Sequence, residues 1–172
     1  MVYRALLHRY LYFIVFSLYS LCQVHAIDTP EKTVLLAILA KNKAHVLPQF
    51  FHCIDHLDYD KKLITVYINT NNNQDETENI LKQWVEAHSS DYRRIIFEKH
   101  EVENIGITKP HEWTPERFKV LAQIRNKSLQ QAIDSHCDYY FVVDCDNFIA
   151  PYTLKELMAK DKPIIAPIPL LK

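Results

Sequence analysis

Two runs, Thr33–Leu39 and Tyr139–Val143, are apolar almost throughout and leave no regular face for water. A strand without polar alternation must be covered on both sides, which points to a parallel sheet between helical layers. The intervening sequence supplies such layers. Behind Pro48, the residues Leu47, Phe50, Phe51, Ile54 and Leu57 recur at helical spacing and form one apolar stripe. Leu63–Ile68 reads as a second strand. Asp75, with Glu78 three residues on, is placed to cap a helix whose buried face carries Ile80, Leu81, Trp84 and Val85. Arg94–Phe97 reads as a short third strand. Thr114 as N-cap and Pro115 at the first helical position then open a long helix in which Phe118, Leu121, Ile124, Leu129 and Ile133 are expected to face inward. Thr153–Ala159 reads as a short helix and Pro163–Ile168 as a fifth strand. The expectation is an α/β fold, a Rossmann-like and mostly parallel sheet with helices on both faces.

Composition narrows the chemistry. At 172 residues, 48% hydrophobic and net charge −1, the chain holds core enough for about one domain and has no basic surplus suited to nucleic acid. Its single glycine, Gly106, excludes both the P-loop and the dinucleotide fingerprint. Any phosphate must therefore be held by a metal or by side chains.

Asp144-Cys145-Asp146 follows the apolar run 139–143 directly. In an open α/β sheet ligands bind at the carboxyl ends of strands. Two acidic residues one position apart suit a hard divalent cation that also holds a diphosphate. The competing reading is purely local: Asp144 ends the strand and Asp146-Asn147 makes a turn.

Other constellations carry less. His52 and His56 share a helical face without a third ligand nearby in sequence, and read as surface residues. Trp113, in His111-Glu112-Trp113, stacks on a sugar or base in one reading and packs in the other. Asn126-Lys127-Ser128 matches a glycosylation acceptor formally but falls inside a helix. Cys53 and Cys137 fall in expected helical segments and read as buried apolar residues. No cysteine or histidine pairing identifies a nucleophile and its base, so no catalytic residue is assigned.

Several ordered motifs together resemble a family. Trp113-Thr114-Pro115-Glu116-Arg117-Phe118, Ile124-Arg125-Asn126 and Phe141-Val142-Val143-Asp144-Cys145-Asp146-Asn147 look like the amino-terminal glycosyltransferase domain of procollagen galactosyltransferases and their cerebral endothelial adhesion-molecule relatives. Leu36–Asn42 and the polar segment Asn69–Thr77 fit the same pattern, and the resemblance spans about residues 33–168. It implies a fold of the GT-A type, with Mn²⁺ or Mg²⁺ and a UDP-sugar bound at Asp144 and Asp146. Asp146 is the better metal ligand, and Asp144 also approaches the ribose. Ala40 and Asn42 would lie against base and ribose, Asn42 having a turn as its other reading. Arg125 would reach the diphosphate or pair with Asp144, its other reading being a solvated or structural ion pair. Procollagen galactosyltransferases continue into a second transferase domain and an ER-retention signal, whereas this sequence stops at Lys172. The expected domain is therefore truncated on its C-terminal side, without the acceptor wall, third metal ligand and catalytic base. Two functions remain open: transfer of galactose or glucose from UDP to a protein hydroxyl such as hydroxylysine of collagen-like sequence, or a non-catalytic secreted domain with an adhesion or partner-binding role.

Residues 1–26 read as a targeting segment, leaving 27–172 as the nucleotide-sugar-binding domain. Arg4, His8 and Arg9 precede the apolar stretch Tyr10–Cys22, and Val24-His25-Ala26 offers a small residue for cleavage. The stretch is shorter than the ~18–20 residues of a spanning helix, which favours cleavage over a signal anchor. Either way the domain enters the secretory pathway, to the endoplasmic reticulum lumen or beyond, and meets a membrane only through this segment. Expression of the full chain in a eukaryotic cell is expected to give a product beginning at Ile27, read by mass spectrometry of its terminus. A carbonate-resistant product that keeps Met1 would establish the anchor instead.

Overall fold

β1 (Val34–Ala40) is the central strand, and the other elements are arranged around it. In the computed structural model, which describes residues 32–101 and 114–167, it pairs in parallel with β2 (Ile64–Asn71) on one side and β4 (Tyr139–Val142) on the other. β3 (Arg94–His100) pairs in parallel with the outer edge of β2, giving the order β3-β2-β1-β4. Val34 through Ile38 are almost wholly buried, as expected of a strand covered on both faces.

Alternate residues of the strands feed two separate cores. Leu36, Ile38, Ala40, Val66 and Ile68 pack against α1 (Leu47–Asp55) and α2 (Thr77–His88). The opposite face is thinner: Leu35, Ala37 and Tyr67 pack against Ala132 of α3 (Pro115–Asp134). Two helices on one side and the next crossover on the other is a doubly wound arrangement. α4 (Thr153–Ala159) buries Leu154, and the stretch before it is tied to the turn after α1, where the Asp58 amide donates to the Pro151 carbonyl at 2.9 Å.

Strand β1 begins at a polar clamp. The Thr33 amide and hydroxyl both donate to Asp138 Oδ2, at 2.8 and 2.9 Å, and the Asp138 amide donates back to Thr33 Oγ1 at 3.1 Å. These bonds, led by the one from the Thr33 amide, hold the Asp138 carboxyl below its ordinary range. They set the start of β4 level with the start of β1.

Several sequence expectations change. β2 runs on through Asn69-Thr70-Asn71 and β3 through His100, because their neighbours supply ladder partners for residues too polar to be read as strand. α2 begins at Thr77 rather than at a cap on Asp75. Residues 163–167 form no strand, and Ile164 lies 92% exposed; residue 168 lies outside the described set. Cys137 follows α3 instead of lying in it. Most consequentially, Phe118, Leu129 and Ile133 of α3 point outward, and the buried positions are Ser128 and Ala132. The helix carries apolar residues on two sides, and the small residues win the sheet because they allow the close approach that Tyr140 and Tyr67 require. Thr114 does cap this helix, accepting from the Arg117 amide at 3.2 Å.

The larger core includes an aromatic stack, Phe51 on Trp84 at 4.4 Å and 6° between planes, with Trp84 Nε1 and the Tyr92 hydroxyl both donating to Asp55. Phe51→Ala is expected to lower unfolding free energy by about 3–5 kcal/mol through lost burial and an unfilled cavity. Urea denaturation followed by circular dichroism measures it, and a loss under about 1 kcal/mol would mean that the site collapses around the gap.

Candidate functional site

The order β3-β2-β1-β4 reverses direction between β1 and β4, so the crevice above their carboxyl ends is the switch point of the sheet. Four chain segments converge there: the loops after β1, β2 and β4, and the middle of α3. With one glycine in the chain, the loops are shaped by asparagines and by side-chain hydrogen bonds.

The loop after β1 shows this most fully. Asn42 adopts φ 53°, a left-handed conformation that Asn tolerates better than other residues with a Cβ. Its amide donates to Asn73 Oδ1 at 2.9 Å, and its own Oδ1 accepts from the Gln74 amide at 2.8 Å. The next two amides are also taken, Lys43 by Thr77 Oγ1 at 2.6 Å and Ala44 by Asp75 Oδ2 at 3.1 Å. Three successive N–H groups of this kind can cradle an anion. Here side chains from the loop after β2 fill the cradle. Asp75, although desolvation opposes its charge, is held below its ordinary range by the bonds from Thr77 and Ala44. Asp75 thus serves both the loop after β1 and, through the Thr77 amide at 3.0 Å, the start of α2 from one residue outside the N-cap position. Phosphate at this site must look to side chains or a cation, as the glycine count requires.

At the end of β4 the strand alternation continues for three residues. Cys145 turns into the larger core at 1% exposure, while Asp144 and Asp146 stay outside. Each carboxylate has met a cation. Asp146 Oδ2 lies 2.7 Å from Lys43 Nζ, and Asp144 Oδ1 lies 3.4 Å from Arg125 Nη2. The hydrogen bond from Lys43 is the main reason that the Asp146 carboxyl sits below its ordinary range. Two acids and two bases therefore balance. An N–H from Asn147 to the Asp144 carbonyl at 2.9 Å closes the turn, so the local reading of these residues also holds.

Arg125 reaches this position because α3 is braced on the sheet. Ser128 Oγ meets the Tyr140 hydroxyl at 2.7 Å, and Lys127 Nζ lies 2.9 Å from Glu98 Oε2. Glu98 also accepts from the Tyr67 hydroxyl at 2.6 Å. Burial raises the Tyr67 phenol well above its usual range, with Glu98 adding to the effect, so it remains a donor. Asn69 Nδ2 donates to Tyr67, and its buried Oδ1 accepts no hydrogen bond among the described residues.

The structure thus brings Asn42, Arg125, Asp144 and Asp146 to one crevice. Ala40 reaches the same end of the sheet, but its side chain is buried in the core and its carbonyl accepts from Thr70 Oγ1 at 2.7 Å. Arg125 pairs with Asp144 in a half-exposed contact common to both of its readings, and Asn42 has the left-handed backbone of a turn. Lys43 is the residue that sequence reasoning missed, although a cation just past a central strand in a chain without a glycine loop was the available signal. The rings of His52 and His56 lie 4.2 Å apart, tilted by 39°, on an exposed surface, and no group of three metal-ligating side chains occurs among the described residues. Trp113 lies outside the described residues.

Burial pushes the Cys145 thiol up to about 12, and its Sγ faces the Leu39 carbonyl at 3.6 Å. The acidic pair therefore presents oxygen donors only. At pH 8 the thiolate fraction is on the order of 10⁻⁴, so iodoacetamide is expected to label Cys145 only after denaturation, as read by peptide mass spectrometry. Rapid labelling of the folded chain would place the thiol outside the core.

Comparison with known proteins now places this arrangement. Residues 31–171 match the N-terminal domain of glycosyltransferase family 25. The chain is 34% identical over 142 residues to human procollagen galactosyltransferase 2, covering 79% of this chain and 22% of that protein. It is 33% identical over 139 residues to mouse inactive glycosyltransferase 25 family member 3, covering 79% and 24%. It thus spans less than a quarter of the length of these relatives. Among solved structures, a mannosyltransferase from Pyrobaculum calidifontis, in complex with GDP-Man and Mn²⁺, superposes with a TM-score of 0.53 at 16% identity, covering 78% of this chain and 34% of that one. S. aureus TarS 1-349 gives 0.51 at 20% identity, covering 74% and 31%. These likenesses show a GT-A glycosyltransferase fold, and by the match over residues 31–171 the chain belongs to glycosyltransferase family 25.

Proposed function

We propose that this chain is the donor-binding part of a hexosyltransferase, taking UDP-galactose or UDP-glucose with a divalent cation and serving transfer to a protein hydroxyl, with hydroxylysine of collagen-like sequence as the favoured acceptor. The observation that carries it is the acidic pair at the end of β4, held outside the core beside the switch point. The acceptor class is supported by the name of the procollagen galactosyltransferase relative. We propose a secretory location as well, on the apolar amino-terminal stretch Tyr10–Cys22 and the basic residues before it.

The donor set fits Mn²⁺ or Mg²⁺ in one specific way. Two carboxylates from Asp144 and Asp146, without a third ligating side chain among the described residues, are too few for an all-protein cage. They match a hard cation that completes its shell with phosphate oxygens and water. When bound, the cation neutralises charge building on the departing diphosphate. Asp146 would hold it and Asp144 would share it or meet the ribose. Arg125 stands beside Asp144 with a planar fork suited to phosphate. Asn42 keeps the floor of the crevice in place through its bonds to Asn73 and Gln74.

A second reading, a non-catalytic family domain with a partner-binding role, is favoured by one observation. The chain is as similar to a relative named inactive as to one named for galactosyl transfer. The two readings share donor binding only if the acidic pair works.

UDP is expected to bind the full chain with Mn²⁺ present and at least about tenfold more weakly in EDTA, and Asp146→Asn is expected to abolish that difference. Titration calorimetry measures both. Equal affinity with and without metal would remove the cation from the site, and no binding in either condition would favour the non-catalytic reading.

A further inference from the structure

Lys43 is fixed at its backbone and adjustable at its tip. Its amide is bonded to Thr77 Oγ1 at 2.6 Å, and its carbonyl accepts from the Val46 and Leu47 amides at 3.0 and 3.1 Å as α1 begins. Only the four-carbon stem can swing, and it carries the ammonium to Asp146 Oδ2 at 2.7 Å. The pair lies partly in solvent, its side chains 31% and 56% exposed, so its own contribution to stability is small.

Its position is what gives it a consequence. A hard cation coordinates carboxylate oxygen at about 2.0–2.2 Å, inside the distance now occupied by the ammonium. Cation and ammonium repel each other, so they cannot share Asp146 on equal terms. A metal entering alone must displace Lys43 with only water to receive the freed charge. A metal entering with a diphosphate brings acceptor oxygens for the displaced ammonium. The backbone cannot compete for those oxygens, because the amides of residues 42–44 are already bonded to Asn73, Thr77 and Asp75.

We infer that Lys43 is a diphosphate-binding residue that occupies Asp146 until the nucleotide arrives, and so makes cation binding conditional on the nucleotide. The inference rests on the proposed donor reading and adds an order to it. Cation and nucleoside diphosphate are coupled through one side chain, and by linkage each strengthens the other by the same factor.

The test uses the full chain, its Lys43→Met variant, and Lys43→Arg as a charge-preserving control. Free Mn²⁺ is counted by electron paramagnetic resonance without and with UDP, and UDP and uridine affinities are measured by calorimetry in Mn²⁺. In Lys43→Met, Mn²⁺ alone is expected to bind several-fold tighter, and UDP about tenfold weaker, the scale of one lost charged hydrogen bond. Uridine, lacking the diphosphate, should bind the variant and the parent equally. Lys43→Arg should recover most of the UDP affinity, and Lys43→Gln, which also removes the charge and is expected to behave as Lys43→Met does, carries the test if the methionine variant fails to fold. A parent chain that shows Mn²⁺-dependent UDP binding, with the charge-removing variant unchanged in Mn²⁺ and UDP affinity, overturns the role of Lys43 alone. A parent chain that binds neither Mn²⁺ nor UDP overturns the donor reading beneath it.

Discussion

The site depends on β1 being locked between two parallel neighbours. Its ladder with β2 runs from Val34–Ile64 to Ala40–Thr70, and its ladder with β4 from Val34–Tyr139 to Ala37–Val142. A slip of one residue would turn every side chain to the opposite face. Cys145 would then leave the core, and the carboxylates would enter it unpaired. The Thr33–Asp138 clamp fixes the same register from the other end of the strands. Register and chemistry are thus one constraint, since the burial of Leu36 and Ile38 decides where Asp144 and Asp146 project.

Polar side chains do the work that glycine often does at such switch points. Asn42, Asn72, His136 and Asp161 take the left-handed positions. Asn42 also bonds across to the next loop, which a glycine at this position could not do through a side chain. The result is a crevice whose floor is already hydrogen-bonded to itself. Binding capacity is left to charges at the rim, where Lys43 and Arg125 stand against Asp146 and Asp144.

Much of this was legible in the sequence for a physical reason. Buried strands and helices that face one core leave strong periodic signals, and α1, α2 and the run before Asp144 had them. The polar ends of β2 and β3 did not, because Asn69-Thr70-Asn71 is extended only by virtue of its neighbours. α3 misled because Phe118, Leu129 and Ile133 are as apolar as a core face, while Ser128 and Ala132 are what the sheet accepts. Asp144, Asp146 and Arg125, which lie together at the crevice, were singled out in the sequence, the acids by position at a strand end and the arginine through family resemblance. Lys43 was missed because its significance is a contact between residues far apart in sequence, which no local pattern encodes.

The separation of those contacts along the chain shapes the order in which the molecule can assemble. β1 and β2 meet across a separation of 30 residues at Ala40 and Thr70, whereas Thr33 and Asp138 are 105 apart. The extra loop closure costs only roughly 1 kcal/mol, so it hardly affects equilibrium. Its effect is on rate, because distant strands must wait for the chain between them to organise. β4 is therefore expected to dock on a sheet whose other strands are already joined. The acidic pair meets Lys43 only with that docking, so the crevice between β1 and β4 is not assembled until β4 is in place.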